Sequence, residues 1–536
     1  GAILVVGSGS PTETKTATWT GNGDGTTITD PRNWGSASAT ELPDFASGAL
    51  VATFPANGMV TIPSGVLWKL KGIVVDPSGT KVDRLTVQGA GEIWVGTQGL
   101  VSLGAGAVSI AVKTGILSSE PWTFGQTTGG GSLTIETTGE IFTLGSAVWT
   151  VNSALSSYDA SGNGPFLDLM GSNPNLGDSS FKMPVRVFAD GALGGPDSTA
   201  TIDCDIRSAL ALELTSCHLQ NKRVFLKGVA GFGYLKAIKS TGSVVIDGEI
   251  YFEAYNDYYW VSSSTTDNEG LTVRGGWRTA ESTGLQRIGQ PSDSGYKVFV
   301  KNGFGANKFW LSQAGCLDVS GEIDVSSGFF IGDGAFLRLN EGSSFKQGVD
   351  SKSVAGVGFT GTEGTGTLDL QGTDATVQIL AGEGRGIVTS EEPATLTLKT
   401  DTEFVTSQWR GWEAAPTFST KIGAGTTTFD KEVDIKDAQQ TDYACFAGAV
   451  NLVKTGLLPH WLGGVSTSTG AVTVAEGVLT FKQGARWRSA AAVEVSGTGT
   501  LAVEGDGVLT PKTPISVTGD ESGRISIPAG KTLKCA

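Results

Sequence analysis

A short strand–turn–strand phrase recurs along this chain of 536 residues. An alternating apolar and polar segment is followed, after a short gap, by Gly-Glu-Ile, which occurs at residues 91–93, 139–141, 248–250 and 321–323. The starts of the first two phrases are 48 residues apart and those of the last two are 73 apart. Both intervals are near multiples of about 24 residues, a length that solenoid repeats adopt. A unit of this size cannot bury its apolar face alone, so the recurrence predicts a stack of similar turns.

The pattern within each unit indicates β-strands. In the segment 315–345, Leu317, Val319 and Ile323 alternate with Asp318, Ser320 and Asp324, which places apolar side chains on one face and polar ones on the other. The strands are three to five residues long and are separated by glycine-containing turns. Strands this short favour an all-β fold built from the flattened or triangular turns of a β-solenoid, also called a parallel β-helix.

Composition limits the partners that the chain can have. Its net charge is −15, which argues against nucleic acid, because affinity for phosphates is built on Lys and Arg. The same charge argues against an anionic membrane surface, and no run of 18 apolar residues predicts insertion into a membrane. Because the charge suits an exported, solvated surface, we expect an extracellular or bacterial cell-surface location.

The sequence divides into three parts. Residues 1–60 are expected to form an N-terminal strand and a cap, since a stack needs its open end covered. Residues 61–350 are expected to form a β-solenoid with loop-rich insertions at about 152–200 and 253–312. Residues 351–536 are expected to form a C-terminal β-solenoid, because the alternation resumes there.

The C-terminal part carries a resemblance to a known repeat. Residues 450–456 read Val-Asn-Leu-Val-Lys-Thr-Gly, and residues 464–480 contain Thr-Gly-Ala-Val-Thr-Val followed by Gly-Val-Leu. These segments resemble the autotransporter-associated β-strand repeat. The resemblance implies a right-handed parallel β-helix that is exported to the cell surface or the medium.

The chain has five scattered cysteines and no Cys-x-x-Cys pair. Zinc is therefore not expected. Two interpretations of Cys204 and Cys217 remain open: the thiols pair across adjacent strands, or they are buried and inert.

Aromatic residues provide the best candidate for a contact surface. The candidates are Tyr251, Tyr255, Asp257, Tyr258, Tyr259, Trp260 and Trp277. Such a cluster suits a protein interface, where aromatic side chains supply much of the binding energy. It also suits a glycan, and it equally suits a loop that packs its rings back onto the solenoid.

No catalytic motif stands out, so an enzyme is not expected. The chain has only two histidines, His218 and His460, and lacks a nucleophile-elbow motif. Asp318 and Asp324 are a candidate carboxylate pair, for which a solvated strand face is the plainer interpretation. No cofactor is expected, although a structural calcium ion at Asn22-Gly23-Asp24 or at Gly332-Asp333-Gly334 remains an alternative.

These observations predict an extracellular structural or surface protein. A stack of turns makes a stiff rod, and its end turns expose strand edges that must be capped or joined to another molecule. The apolar residues Ile3, Leu4, Val5 and Val6 are expected to form a strand that joins subunits head to tail into a filament or surface layer. The alternative is an adhesin or glycan-binding protein with a host or cell-surface partner, and a polysaccharide-degrading enzyme or phage tailspike is the third possibility.

Overall fold

A computed structural model gives the structure of most of the chain. It describes residues 15–55, 58–75, 84–102, 107–116, 122–123, 133–135, 142–143, 149–152, 167–169, 172, 178–182, 185–203, 210–227, 235–253, 259–264, 270–280, 285–288, 296–306, 308–311, 315–325, 328–348, 355–359, 365–382, 386–400, 426–427, 446–488, 490–518 and 523–535. In this part of the chain the only helix is the 3-10 turn Pro31–Trp34, and the other regular elements are β-strands. The chain divides into two units, Gly1–Glu253 and Ala254–Ala536.

The first unit contains parallel strands in three sheets. One sheet contains Lys15–Thr18, Leu50–Phe54, Gly58–Thr61, Leu67–Val75, Arg84–Ser102, Ala107–Ile116, Leu133–Ile135, Phe142–Thr143, Leu167–Leu169, Val185–Val187, Leu210–Thr215 and Leu235–Thr241. A second contains Trp122–Thr123, Trp149–Asn152, Ser179–Lys182, Thr199–Asp203, Arg223–Lys227 and Glu249–Glu253. A third contains His218–Leu219 and Val244–Ile246.

The second unit begins with three further groups of stacked strands. The first group contains Tyr259–Ser264, Leu285–Ile288, Lys308–Leu311, Phe329–Ile331, Gly356–Phe359 and Ile379–Gly382. The second contains Leu271–Val273, Tyr296–Val300, Gly315–Val319, Phe336–Leu339, Gly366–Asp369 and Gly386–Thr389. The third contains Trp277–Thr279, Phe304–Ala306, Glu322–Val325 and Ser344–Phe345.

Three more sheets form the C-terminal part of the second unit. The first contains Ala375–Val377, Ala394–Lys399, Val450–Thr455, Val472–Val474, Val493–Ser496 and Ser516–Thr518. The second contains Thr426–Thr427, His460–Leu462, Val478–Phe481, Thr500–Val503 and Arg524–Ser526. The third contains Val465–Ser466, Arg486–Trp487, Gly507–Leu509 and Leu533–Lys534.

This architecture confirms the all-β solenoid that the repeat predicts. Strands of successive turns pair in parallel and in register, for example Leu479 with Leu501 and Val472 with Val493. Within each strand, alternate side chains face the core, as in Val450–Thr455. Apolar side chains therefore stack on one another from turn to turn.

The Gly-Glu-Ile phrase has a physical explanation in this stack. Its isoleucine points into the core: Ile93 and Ile250 are fully buried and Ile323 nearly so. Its glycine lies where the chain passes over the preceding turn: a Cβ atom at Gly248 would overlap the carbonyl oxygens of Asn221 and Lys222. In the described occurrences, the phrase thus combines a close backbone approach at its glycine with a core position at its isoleucine.

Both segments that the sequence analysis assigns to loop-rich insertions contain strands where the structure describes them. Seven strands lie within 253–312, and they include Leu271–Val273 and Tyr296–Val300, which pair in register. In the earlier segment, Val185–Val187 pairs with Leu212–Leu214. Polar and glycine-rich connections separate these strands. A sequence window long enough to detect periodicity includes these connections, so the alternation of each short strand is not detected.

Residues near the described N-terminal end enclose an aromatic cluster. Trp34 contacts Trp19, Phe45, Phe54 and Trp68, with ring centroids 4.9 to 5.9 Å apart. The strand Lys15–Thr18 pairs with Leu50–Phe54, so this region is itself part of the stack. That it caps the stack stays a prediction.

Candidate functional site

The last turn that the structure describes contains three short strands, one in each sheet of the C-terminal part. Ser516–Thr518, Arg524–Ser526 and Leu533–Lys534 each pair with a strand of the preceding turn, and no other described strand pairs with their opposite sides. We call these three strands the C-terminal edge. Unpaired N–H and C=O groups along such an edge are a template for pairing with another strand.

Apolar side chains at the C-terminal edge occupy positions that are buried one turn earlier. Val517 is in register with Val495, and Ile525 with Leu501; both earlier residues are fully buried. Val517 is 50% exposed and Ile525 is 40% exposed, and the neighbouring Ile527 is 45% exposed. These apolar side chains are therefore more exposed in the last described turn than their counterparts are one turn earlier.

The C-terminal edge is also locally basic in an acidic protein. Residues 510–536 contain four basic residues, Lys512, Arg524, Lys531 and Lys534, and two acidic ones, Asp520 and Glu521. All four basic side chains are exposed. The segment thus carries net positive charge within a chain of net charge −15.

One side of the strand Lys15–Thr18 pairs with Leu50–Phe54, and no described strand pairs with its other side. The backbone N–H groups of Lys15 and Trp19 donate to the carbonyl oxygens of Ala49 and Thr53, at 3.2 and 2.8 Å. Strand alternation therefore directs the backbone groups of Thr16 and Thr18 to the other side. The predicted joining residues Ile3, Leu4, Val5 and Val6 lie outside the described residues.

Tyr251 lies on the outer face of the second sheet of the first unit. Its ring is half-buried and makes an edge contact with the Phe225 ring of the preceding turn, with centroids 5.3 Å apart. The Arg223 guanidinium lies 5.3 Å from the Tyr251 centroid and pairs with Glu249 at 2.7 Å. The result is a small outward-facing aromatic surface with hydrogen-bonding neighbours.

Most of the other residues of the predicted contact surface are not described by the structure. Tyr255, Asp257 and Tyr258 lie outside the described residues, as do the side chains of Tyr259 and Trp260 in the strand Tyr259–Ser264.

The prediction is wrong for Trp277. This residue is 1% exposed, and its ring packs against Phe304 and Phe309 in the core, at 5.8 and 6.3 Å between centroids. Trp277 is the first residue of the three-residue strand Trp277–Thr279, and its side chain faces the core. Three residues give too little alternation for the sequence to show which face is buried.

The two histidines occupy different environments. His460 is fully buried, and burial, reinforced by the charge of Lys454, lowers its pKa to about 3. His218 is part of an outward-facing pair: its Nε2 lies 2.8 Å from Oδ2 of Asp247, and its backbone N–H donates to Asp190.

Asp318 and Asp324, the candidate carboxylate pair, lie on different sheets. Asp318 is in Gly315–Val319, where the Cys316 thiol donates to its Oδ1 at 3.2 Å and burial raises its pKa. Asp324 is in Glu322–Val325 and accepts a hydrogen bond from Lys346 at 2.6 Å. Each carboxylate therefore has its own local partner and the two do not form one site.

The candidate calcium segment is organised by hydrogen bonds. Oδ1 of Asp24 accepts from the backbone N–H groups of Thr26 and Thr27 and from the Asn33 amide, all within 2.8 Å. The hydrogen bonds from Thr27 and Thr26 hold the pKa of Asp24 well below its usual value. In the described residues, no group of three or more His, Cys, Asp or Glu side chains is arranged to hold a metal ion.

Cys217 is a free, buried thiol, so it does not form the disulfide considered with Cys204, which lies outside the described residues. Burial raises the pKa of Cys217 to about 12, so the thiol stays protonated at neutral pH.

Sequence reasoning did not identify the C-terminal edge. The spacing of one turn between Val517 and the buried Val495, and between Ile525 and the buried Leu501, was the sequence signal that could have identified these positions. Their exposure depends on whether another turn stacks above them, and no local pattern encodes that.

Comparison of the chain with protein-family models, with curated protein sequences and with solved structures gave no significant match. A helix with the length and apolar character of a membrane span does not occur among the residues described above.

Proposed function

We propose that this protein is an extracellular structural protein whose subunits associate head to tail into a filament or surface layer. The observation that carries the proposal is the stack itself: strands of successive turns pair in parallel and in register, so a turn that ends such a stack presents strand sides that another strand can pair with. Edges of this kind bind another strand through backbone hydrogen bonds. The extracellular location rests on the acidic surface and on the repeat resemblance of residues 450–480.

Parallel stacking favours association of opposite ends. Every pairing quoted above between successive turns is parallel, so a second copy that continues the stack presents its N-terminal end to the C-terminal edge of the first. Such an interface is heterologous, and it propagates unless the rotation between subunits closes a ring. The residues Ile3, Leu4, Val5 and Val6 are the proposed joining strand.

Deletion of residues 1–10 tests this joining strand. We expect the full chain to form assemblies whose size grows with concentration, and we expect the truncated chain to remain a folded monomer. Sedimentation velocity gives the size distribution, and circular dichroism in the far ultraviolet verifies the β-structure of both proteins. Assembly of the truncated chain to the same size as the full chain would rule out the joining role of Ile3–Val6.

A second candidate function is glycan binding at the outer face around Tyr251. It is supported by the neighbouring Phe225 ring and by the Arg223–Glu249 pair, which supply an apolar platform and hydrogen-bonding groups. A glycan array tests it: Tyr251→Ala is expected to lose the binding that the parent protein shows. Phe188→Ala, which removes the ring of another arginine–aromatic contact in this unit, is the matched control. Absence of glycan binding by the parent protein would dispose of this candidate.

A further inference from the structure

A half-buried tryptophan lies on the outer face of the sheet that contains His460–Leu462, Val478–Phe481 and Thr500–Val503. We infer that the face around Trp461, together with the hydroxyl groups of Thr480 and Thr500, binds an uncharged glycan. All three strands of this face are paired on both sides. The inference is independent of head-to-tail association, and this face lies in a different unit from Tyr251.

The strand register directs the Trp461 side chain outward. His460 and Leu462 on either side of it are 0% and 2% exposed, so strand alternation places Trp461 on the opposite face. Trp461 is in register with Thr480, and Thr480 with Ala502, so small side chains follow the indole in the next two turns. Thr480 is 6% exposed and forms the base of the face between Trp461 and Ala502. Successive turns are about 4.8 Å apart, so the face is about 10 Å long, which suits a short oligosaccharide.

The outer face of these three strands is uncharged. Its side chains are those of Trp461, Val478, Thr480, Thr500 and Ala502. Such a face has no charge to complement an anionic or a cationic ligand. It combines a flat aromatic ring with hydroxyl groups, and a pyranose combines an apolar C–H face with hydroxyl groups at its edge. An uncharged glycan therefore matches it.

The polar groups of this face are not used by the described part of the chain. The indole N–H of Trp461 and the hydroxyl groups of Thr480 and Thr500 have no hydrogen-bond partner there. The core residue Trp487 shows the contrast: its indole N–H donates to the carbonyl oxygen of Ser468 at 3.0 Å, and its ring stacks on a phenylalanine. Trp461 makes neither kind of contact with the described residues, so its ring and N–H are left for a ligand.

The segment that precedes Trp461 is fixed before any ligand binds. The backbone N–H of Leu458 donates to the carbonyl oxygen of Thr400 at 3.1 Å, and the Thr400 hydroxyl donates to the carbonyl oxygen of Leu458 at 2.7 Å. The backbone N–H of Gly456 donates to the Glu476 carboxylate at 2.9 Å. Because these contacts already order the segment, binding costs little conformational freedom.

Trp461→Ala tests the face on a glycan array that carries uncharged hexose, uronate and glucosamine oligosaccharides. We expect the wild-type chain to bind uncharged members, and Trp461→Ala to bind them at least about ten-fold more weakly, because an aromatic anchor supplies much of the binding energy. Thr500→Val should weaken binding by about three-fold through the lost hydroxyl. Leu457→Ala is the matched control: it removes an apolar side chain that is 73% exposed just before this strand, and it should bind as the wild type does.

Fluorine NMR of the wild-type chain labelled with fluorotryptophan gives a test that does not depend on the folding of an alanine variant. The Trp461 resonance is assigned by its loss in Trp461→Phe. It should shift during titration with the uncharged oligosaccharide that binds best on the array, whereas the resonance of the core residue Trp487 should stay in place. A Trp461 resonance that does not move would refute the inference.

The array can also overturn the inference in three ways. Binding confined to uronate or glucosamine oligosaccharides, or no binding at all, would exclude an uncharged glycan. Equal losses in Trp461→Ala and Leu457→Ala would indicate a general apolar contact instead of ring stacking. A loss in Tyr251→Ala with none in Trp461→Ala would assign glycan binding to the face around Tyr251. Head-to-tail association is measured separately by sedimentation velocity, so these outcomes leave it untouched.

Discussion

Lys454 is a fully buried lysine at a core-facing strand position, and its surroundings explain how a charge is tolerated there. Its ammonium group donates to the carbonyl oxygens of Thr455, Gly456 and Glu476, at 2.8, 2.6 and 3.1 Å. Lysine carries three N–H donors, so these carbonyl groups match its full donor capacity. The side chain thus fastens the turn after Val450–Thr455 to the next turn of the solenoid.

Lys454→Met tests this role. The substitution keeps much of the side-chain volume but leaves three carbonyl oxygens without this donor, so unfolding free energy should fall by roughly 2 kcal/mol or more. Urea denaturation measures the change. Lys222→Met, at an exposed lysine, should alter stability by less than about 0.5 kcal/mol. Equal stabilities of the two variants would contradict the assigned role.

His460 predicts a pH dependence of stability. Its folded-state pKa of about 3 lies below the ordinary value of 6.5, so between these values the unfolded chain binds a proton that the folded chain does not. This contribution to stability is complete above pH 6.5 and is lost as pH falls towards 3. Between pH 6.5 and 5, wild-type protein should lose about 2 kcal/mol more than His460→Gln does. Parallel denaturation curves of both proteins at the two pH values would measure this difference, and identical losses would refute it.

At the scale of elements, the turns constrain the sequence more tightly than the strands do. Gly248 begins the phrase Gly-Glu-Ile and has no room for a Cβ atom beside Asn221 and Lys222. Gly248→Ala should therefore destabilise the protein by about 1–3 kcal/mol. Gly507→Ala is the matched control, because its Cβ atom would lie 3.7 Å or more from its neighbours. Thermal unfolding followed by circular dichroism compares them, and a Gly248 variant as stable as the Gly507 variant would contradict this explanation of the repeat.

The sequence predicted the elements unevenly, for physical reasons. The alternation around Leu317 and the isoleucines of the repeat identified strands correctly, because one face of each strand is buried. The strand Leu271–Val273 was missed since three residues between polar loops give too little alternation. Trp277 was assigned to a surface because aromatic residues suit both surfaces and cores, and only the register of its short strand places it inside.

At the scale of the whole molecule, the proposed head-to-tail association depends on what covers the end turns of the stack. The C-terminal edge exposes Val517 and Ile525 at positions that are buried one turn earlier, and its basic residues face solvent. The sequence predicted that end edges must be capped or joined, and the predicted joining residues, Ile3 to Val6, lie outside the described residues. Exposure of a core-facing residue depends on the neighbouring turn, and that information is not local.

Sedimentation velocity of the wild-type 536-residue chain over a range of concentrations tests head-to-tail association most directly. Open-ended association predicts a sedimentation coefficient distribution that moves to larger species as concentration rises, without stopping at a dimer. A single monomeric species at every concentration, or a dimer that does not grow, would contradict the account.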